Sequence, residues 1–326
     1  MQEKAELTDN LSSFSSLPDE LTNSIRKKLE QHPQAHDSFA FTCRYFYQLS
    51  KPERLRVRLA QYVTEGAQAK AKAMLEKYPQ LLLERGLIQD KSGRIFENIT
   101  VWEYVLWALD VKYMGPMMLD CLPQDEEGKR IAVKLLSQFE RLEKNGISYV
   151  LNGELYNEGH YDFAIIKALE TFVKHFNQWD WHTQRTYWIQ IIGMAQYCLP
   201  AHVAQHYCEP DVPFVPIPEF NRETFNRVLT YFNQSTKKDE LWWPDAKRVG
   251  NTMGVDFAIT RSRAIIASCS VNYMRGADSA ANHDLRALTA LRLIRSTTNL
   301  PALKNKLFDM IQAPEIQSAF IGSIAG

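Results

Sequence analysis

Cys198, His202, His206 and Cys208, spaced C-x3-H-x3-H-x-C, are the best metal-ligand candidates in the chain. On one helix the first three share a face, but the helical rise sets the Cα atoms of Cys198 and His206 about 12 Å apart. A tetrahedral zinc holds each ligand at about 2.0–2.3 Å, so one ion does not readily collect all three. His202 and His206 could form a two-ligand site. Position 203 is valine, however, so a metalloprotease helix would lack its general base. Satisfied or partly exposed side chains are the favoured reading of both histidines.

Nucleophilic and phosphate chemistry find less. There is no G-x-S-x-G elbow, and Cys269 in "IIASCSVNY" suits a buried structural thiol. His160, His175 and His182 lie near Asp162 and Asp180 in the sequence, an arrangement that spacing alone cannot turn into an acid–base pair. Gly250 and Gly254 lack the strand context and the lysine of a phosphate-binding loop. No active site and no cofactor site emerge, and the chain reads as non-catalytic.

Bulk properties narrow the classes further. Lysine plus arginine and aspartate plus glutamate number 38 each, so no net field draws the protein to nucleic acid or an anionic membrane. No apolar run approaches the roughly 20 residues of a membrane span. The first ten residues are polar and acidic, unlike a secretory signal. Five scattered cysteines in 326 residues suggest reduced thiols and a reducing, cytosol-like compartment.

Helical periodicity dominates the elements that must carry any function. Ser16, Pro18 and Asp19 form a helix start. Leu17, Leu21, Ile25 and Leu29 then recur every four residues. After His32-Pro33, a second stripe runs through Phe39, Cys43, Phe46 and Leu49. Further helical patterns cover about 128–145, 161–177 and 183–207, with closing helices at about 257–274, 284–297 and 302–313. "CEPDVPFVPIPEF" favours extended chain and reads as a Pro-rich linker over 208–220. The expectation is an all-α protein: a tail over 1–14, a helical hook over 15–60, helices over 61–207 and a C-terminal helical domain over 221–326.

The pattern Leu17-Pro18…Leu21…Ile25…Leu29, then Cys43-Arg44…Phe46…Leu49, resembles the F-box. "LPDEL" supplies its usual opening and "CRYFYQL" its usual close, although Phe46 stands where tryptophan is common and Thr42 where a small aliphatic is common. The resemblance covers about 45 residues. It implies a helical hook whose apolar face (Leu17, Pro18, Leu21, Ile25, Leu29, Cys43, Phe46 and Leu49) docks on the adaptor subunit of a cullin–RING ubiquitin ligase. The opposing reading packs the same leucines on the chain's own core.

Residues 66–123 resemble degenerate ankyrin-like hairpins, with Leu81-Leu82-Leu83 and Gly86 closing one unit and Asp90, Gly93 and Thr100 opening the next. With the F-box, "GRIF…IT…EYVLWALD" resembles type IV-secreted effectors of the Legionella group. That resemblance implies a bacterial effector working in the host cytoplasm. It would be a substrate receptor presenting an unidentified host protein for ubiquitination. The alternative is a non-catalytic effector that sequesters a host protein. Trp179, Trp181, Trp242 and Trp243 are candidate partner anchors, since tryptophan is enriched at interface hot spots. Filling helix junctions is the commoner use of such residues. Arg286, Arg292 and Arg295, with Lys304 and Lys306, read as a solvated basic face.

Overall fold

Asn152 and Gly153 both have positive φ, 52° and 83°, the pair of left-handed residues that a two-residue hairpin turn requires. They join β3 (Ile147–Leu151) to β4 (Glu154–Glu158), paired antiparallel from Ile147↔Glu158 to Leu151↔Glu154. A second hairpin joins β1 (Gly86–Gln89) to β2 (Ile95–Ile99), and Ile95↔Val150 pairs β2 with β3. The result is an antiparallel sheet in the order β1-β2-β3-β4. Ile88, Phe96, Ile99, Ile147 and Tyr149 bury their side chains in the core.

This sheet overturns the all-α expectation. The structure, a computed structural model, describes residues 19–29, 35, 38, 44–209, 212, 214–222, 229–233, 238–241 and 277–312. Two strands fall inside the stretch read as ankyrin-like hairpins. Runs of four or five residues are too short for alternation to stand out beside long helical patterns. Further on, β5 (Thr230–Asn233) pairs with β6 (Lys238–Leu241), so the C-terminal part is not purely helical either.

The helices are α1 (Asp19–Leu29), α2 (Arg44–Thr64), α3 (Gln68–Leu75), α4 (Val101–Trp107), α5 (Met114–Asp120) and α6 (Glu126–Asn145). After the sheet come α7 (Ala164–His175), α8 (Trp181–Tyr187), α9 (Gly193–Tyr197), α10 (Ala201–Cys208), α11 (Ala277–Ile294) and α12 (Leu300–Gln312). Two π-helical turns, Trp188–Ile192 and Arg295–Asn299, link α8 to α9 and α11 to α12. The helix expected at 257–274 lies outside the described residues.

Local chemistry sets several of these boundaries. Asp125 caps α6 by accepting from the Gly128 N–H at 3.0 Å. Gly146, at φ 68°, ends the helix. Ile131, Leu135, Phe139 and Leu142 give α6 one buried stripe, against which α12 packs. Thr100 and Glu103 form a reciprocal capping box at the start of α4. The Thr100 hydroxyl also donates to Gln138 Oε1 at 2.6 Å. Thr100→Ala is therefore expected to cost about 2 kcal/mol, the upper end for a cap, in urea unfolding. A loss no larger than an exposed Thr→Ala gives would show that the cap contributes little.

One hydrophobic cluster runs from Leu59 and Val63 on α2 to Leu307 on α12. Phe214 and Phe220, inside the stretch read as a linker, belong to it. Prolines there exclude helix, but they do not keep the intervening aromatics out of the core.

Candidate functional site

On α1, Leu21 is 48% exposed, while Ile25 and Leu29 are half-buried. Leu17, Pro18 and Cys43 lie outside the described residues, and Phe46 and Leu49 fall within α2. The structure thus places part of the predicted hook on a helix with an apolar residue facing out. It does not bring all eight hook residues into one described surface.

Among the aromatic candidates, Trp179 is a wall of the core. Its ring stacks on His175 at 5.4 Å and lies 4.8 Å from Tyr187. Trp181 is 54% exposed. Trp242 and Trp243 lie outside the described residues.

The densest polar chemistry is buried around α10. Arg295, read as part of a solvated basic face, is 0% exposed. Its Nη2 lies 3.1 Å from His206 Nε2, 3.1 Å from the Phe220 carbonyl oxygen and 3.4 Å from the Tyr113 hydroxyl, while Nη1 donates to Asn299 Oδ1 at 2.6 Å. Nearby, Gln196 Nε2 donates to the Tyr207 hydroxyl at 2.9 Å, and that hydroxyl donates to Asp284. Asp284, Leu288, Leu291 and Arg295 fall on one helical stripe and are all buried. A charge at a core-stripe position was the available signal.

This arrangement decides how the two histidines can act. Because a guanidinium only donates, His206 Nε2 offers Arg295 its lone pair. A metal at that nitrogen would have to displace the donor and sit beside a fixed positive charge. His202 is 1% exposed, and both its ring nitrogens lack a hydrogen-bond partner among the described residues. Burial, then the charge of Arg295, holds its pKa well below the usual histidine range. Cys198 precedes α10, and burial pushes its thiol up, away from nucleophilic character. His160 Nδ1 donates to the Leu106 carbonyl oxygen at 2.9 Å, and His175 Nδ1 lies 2.9 Å from Gln178 Oε1. Among the described residues, neither histidine is hydrogen-bonded to a carboxylate. Cys269, Gly250 and Gly254 lie outside the described residues.

A second buried arginine ties the sheet to the helices beyond it. In the turn between β1 and β2, Asp90 Oδ1 accepts from the backbone N–H groups of Ser92 and Arg94, each at 3.0 Å, and from the Ser92 hydroxyl at 2.6 Å. Arg94 Nη1 lies 3.3 Å from Asp90 Oδ2, 2.6 Å from Ser92 Oγ and 2.9 Å from the Cys198 carbonyl oxygen. The guanidinium carbon sits 5.2 Å from the Trp107 ring centre, 5.5 Å from that of Tyr149 and 5.4 Å from that of Tyr161. Burial opposes its charge, but Asp90 leads the groups that outweigh burial and hold its pKa above the ordinary value.

Residues 164–307 match a family model described as the CBUA0006 C-terminal domain. Across 285 residues the chain is 36% identical to "Uncharacterized protein CBUA0006" of Coxiella burnetii, covering 82% of this chain and 78% of that protein. The chain belongs to the CBUA0006 family. No solved structure matches it. In this CBUA0006-family protein the matched segment shares its core with the residues before it. Arg94, outside 164–307, donates to Cys198 inside it, and Arg295, inside it, donates to Tyr113 outside it. Among the described residues of this family member, no helix is long and apolar enough to cross a membrane.

Proposed function

We propose that the protein is a non-catalytic, F-box-like substrate receptor. In this reading α1 and the start of α2 dock on the adaptor subunit of a host cullin–RING ligase. The body then presents a host protein for ubiquitination. The carrying observation is Leu21, on the predicted docking stripe and 48% exposed. A leucine left in water on a short helix is available to a partner. Burying it there would contribute about 1.5–3 kcal/mol. A bacterial relative suits the other half of the reading, in which a bacterium delivers the protein into a host cell. The buried polar groups around α10 hold one another rather than lining an open cleft, which favours binding over catalysis. Mechanistically, holding a target near a charged conjugating enzyme raises their effective concentration.

Leu21→Asp tests this reading with little risk to the fold, because the side chain is half in solvent already. In a pull-down with purified adaptor subunit, the full-length protein is expected to bind. Leu21→Asp is expected to bind about tenfold to a hundredfold more weakly, with an unchanged circular dichroism spectrum. Equal binding by the variant would remove α1 from the interface. Failure of the wild type to bind would overturn the receptor reading in favour of sequestration without a ligase.

A further inference from the structure

The two edges of the four-stranded sheet are finished differently. At one edge α2 packs along β1, and buried Arg56 on α2 donates from Nη1 to the Leu87 carbonyl oxygen at 3.2 Å. β4 forms the other edge. Among the described residues, no hydrogen bond reaches its backbone from any element but β3. The turn at Asn152-Gly153 closes on Leu151 and Glu154, which makes these two a hydrogen-bonded pair. Such pairs alternate with non-bonded ones along an antiparallel ladder, so Leu155 and Asn157 direct their N–H and C=O groups away from β3.

Side-chain rows on both faces of the sheet stop at this edge. On the outer face Ile95 pairs with Val150 and Val150 with Leu155. Ile95 and Val150 are half-buried, and the row ends in Leu155, 74% exposed. On the core face the Phe96 ring lies 5.2 Å from that of Tyr149, which in turn stacks on Tyr156 at 5.2 Å and 12°. That row ends in Tyr156, 40% exposed. A further strand would extend both rows, because residues directly opposite one another in a sheet interact.

Charge decides what kind of strand fits. Glu154 is exposed at one end of β4 and Glu158 half-buried at the other. The Glu158 carboxylate is held in place by the Tyr149 hydroxyl at 2.9 Å and Trp107 Nε1 at 3.2 Å. From Asn145 to Ile166 the chain carries these two glutamates and Asp162, and no lysine or arginine. A second copy of β4, paired antiparallel about Tyr156, would set Glu154 opposite Glu158. Like charges so placed are unfavourable, a common protection of open edges against self-association. A segment with lysine or arginine at those positions meets opposite charge instead.

We propose that β4 is a docking edge for an extended segment of a partner protein, one in which basic residues flank an aromatic and aliphatic centre. The segment adds antiparallel to β4. Backbone bonds to Leu155 and Asn157 attach it, Leu155 and Tyr156 cover its centre, and Glu154 and Glu158 select its ends. This docking does not depend on the adaptor contact proposed for α1.

The test is fluorescence anisotropy of a labelled Ser-Gly-Lys-Thr-Tyr-Val-Lys-Gly-Ser peptide with the full-length protein. Laid antiparallel on β4, its lysines fall opposite Glu158 and Glu154, its tyrosine opposite Tyr156 and its valine opposite Leu155. It should bind, and a version with glutamate in place of both lysines should bind about tenfold more weakly or worse. Leu155→Pro removes an outward N–H that β3 does not use, and should weaken binding by about tenfold or more. Glu154→Lys alters only an exposed side chain, so it carries the test if the proline variant does not fold. It should bring the two peptides to nearly equal affinity. Bound peptide should also slow amide exchange at Leu155 and Asn157, while Tyr156, already bonded to Tyr149, changes little. Failure of wild type to bind the basic peptide, equal binding of both peptides, or unchanged exchange at Leu155 and Asn157 would overturn the proposal. So would a dimer in light scattering that Leu155→Pro dissociates, since a second copy would then occupy the edge.

Discussion

Replacing Gly128 by alanine is expected to destabilise the fold by about 2–4 kcal/mol, the reverse of what this change does in most helices. At an exposed helix interior Gly→Ala gains about 0.5–1 kcal/mol, because glycine loses more backbone freedom on folding. Gly128 is buried in the first turn of α6, where an added Cβ would lie 1.8 Å from the Pro123 carbonyl oxygen and 2.8 Å from its carbon. Neither atom is the end of a flexible side chain, so the backbone ahead of the helix has to move. That movement pulls on Asp125, whose carboxylate caps the same helix through Gly128. Gly159→Ala is the control, since an added Cβ there meets nothing within 4 Å. Urea unfolding should separate the two variants clearly. A Gly128→Ala protein within about 0.5 kcal/mol of wild type, the range of an ordinary surface change, would contradict the steric argument.

Loss of the Arg94 guanidinium should be larger still, about 3–5 kcal/mol for Arg94→Met, because it leaves a buried partner charge uncompensated. The Asp90 carboxylate would keep its bonds to the Ser92 and Arg94 N–H groups and the Ser92 hydroxyl, but lose its cation. The Cys198 carbonyl would lose a donor at 2.9 Å, and the three rings would lose the charge they surround. Arg94→Lys should recover little. An ammonium is a point charge and cannot replace a planar fork placed among several acceptors and rings. Adding Asp90→Asn to Arg94→Met should restore part of the stability by neutralising the stranded carboxylate. If the double variant is no more stable than Arg94→Met, the loss comes from packing and not from the unpaired charge.

Several elements were legible because a local pattern sufficed. The α6 stripe and the α12 stripe follow helical spacing, and the helix patterns at 128–145 and 302–313 match α6 and α12 to within a few residues. The turn of the β3–β4 hairpin was also written in the chain, as Asn152-Gly153. Five-residue strands carry little periodic signal beside a twenty-residue helix, which hides this hairpin among the helical patterns. Arg295 departs from the expected solvated face for a different reason. Its neighbours Arg286 and Arg292 are exposed, and type alone does not separate a buried arginine from a solvated one. Its phase with Leu288 and Leu291 does.

By itself, the sequence determined where helices form and which of their faces are apolar, since i, i+3 and i+4 spacing and end caps act within a few residues. It also determined the even charge balance. Only the tertiary structure decided that two hairpins far apart in the chain join as one sheet through Ile95 and Val150. The tertiary structure likewise decided that the Pro-rich stretch enters the core through Phe214 and Phe220. It set His206 against Arg295 as a hydrogen-bond acceptor, a partner that residue spacing does not reveal. Those outcomes depend on residues 55 to 89 positions apart meeting in space, and burial at such a meeting, not residue type, fixes whether a charge is solvated, paired or suppressed.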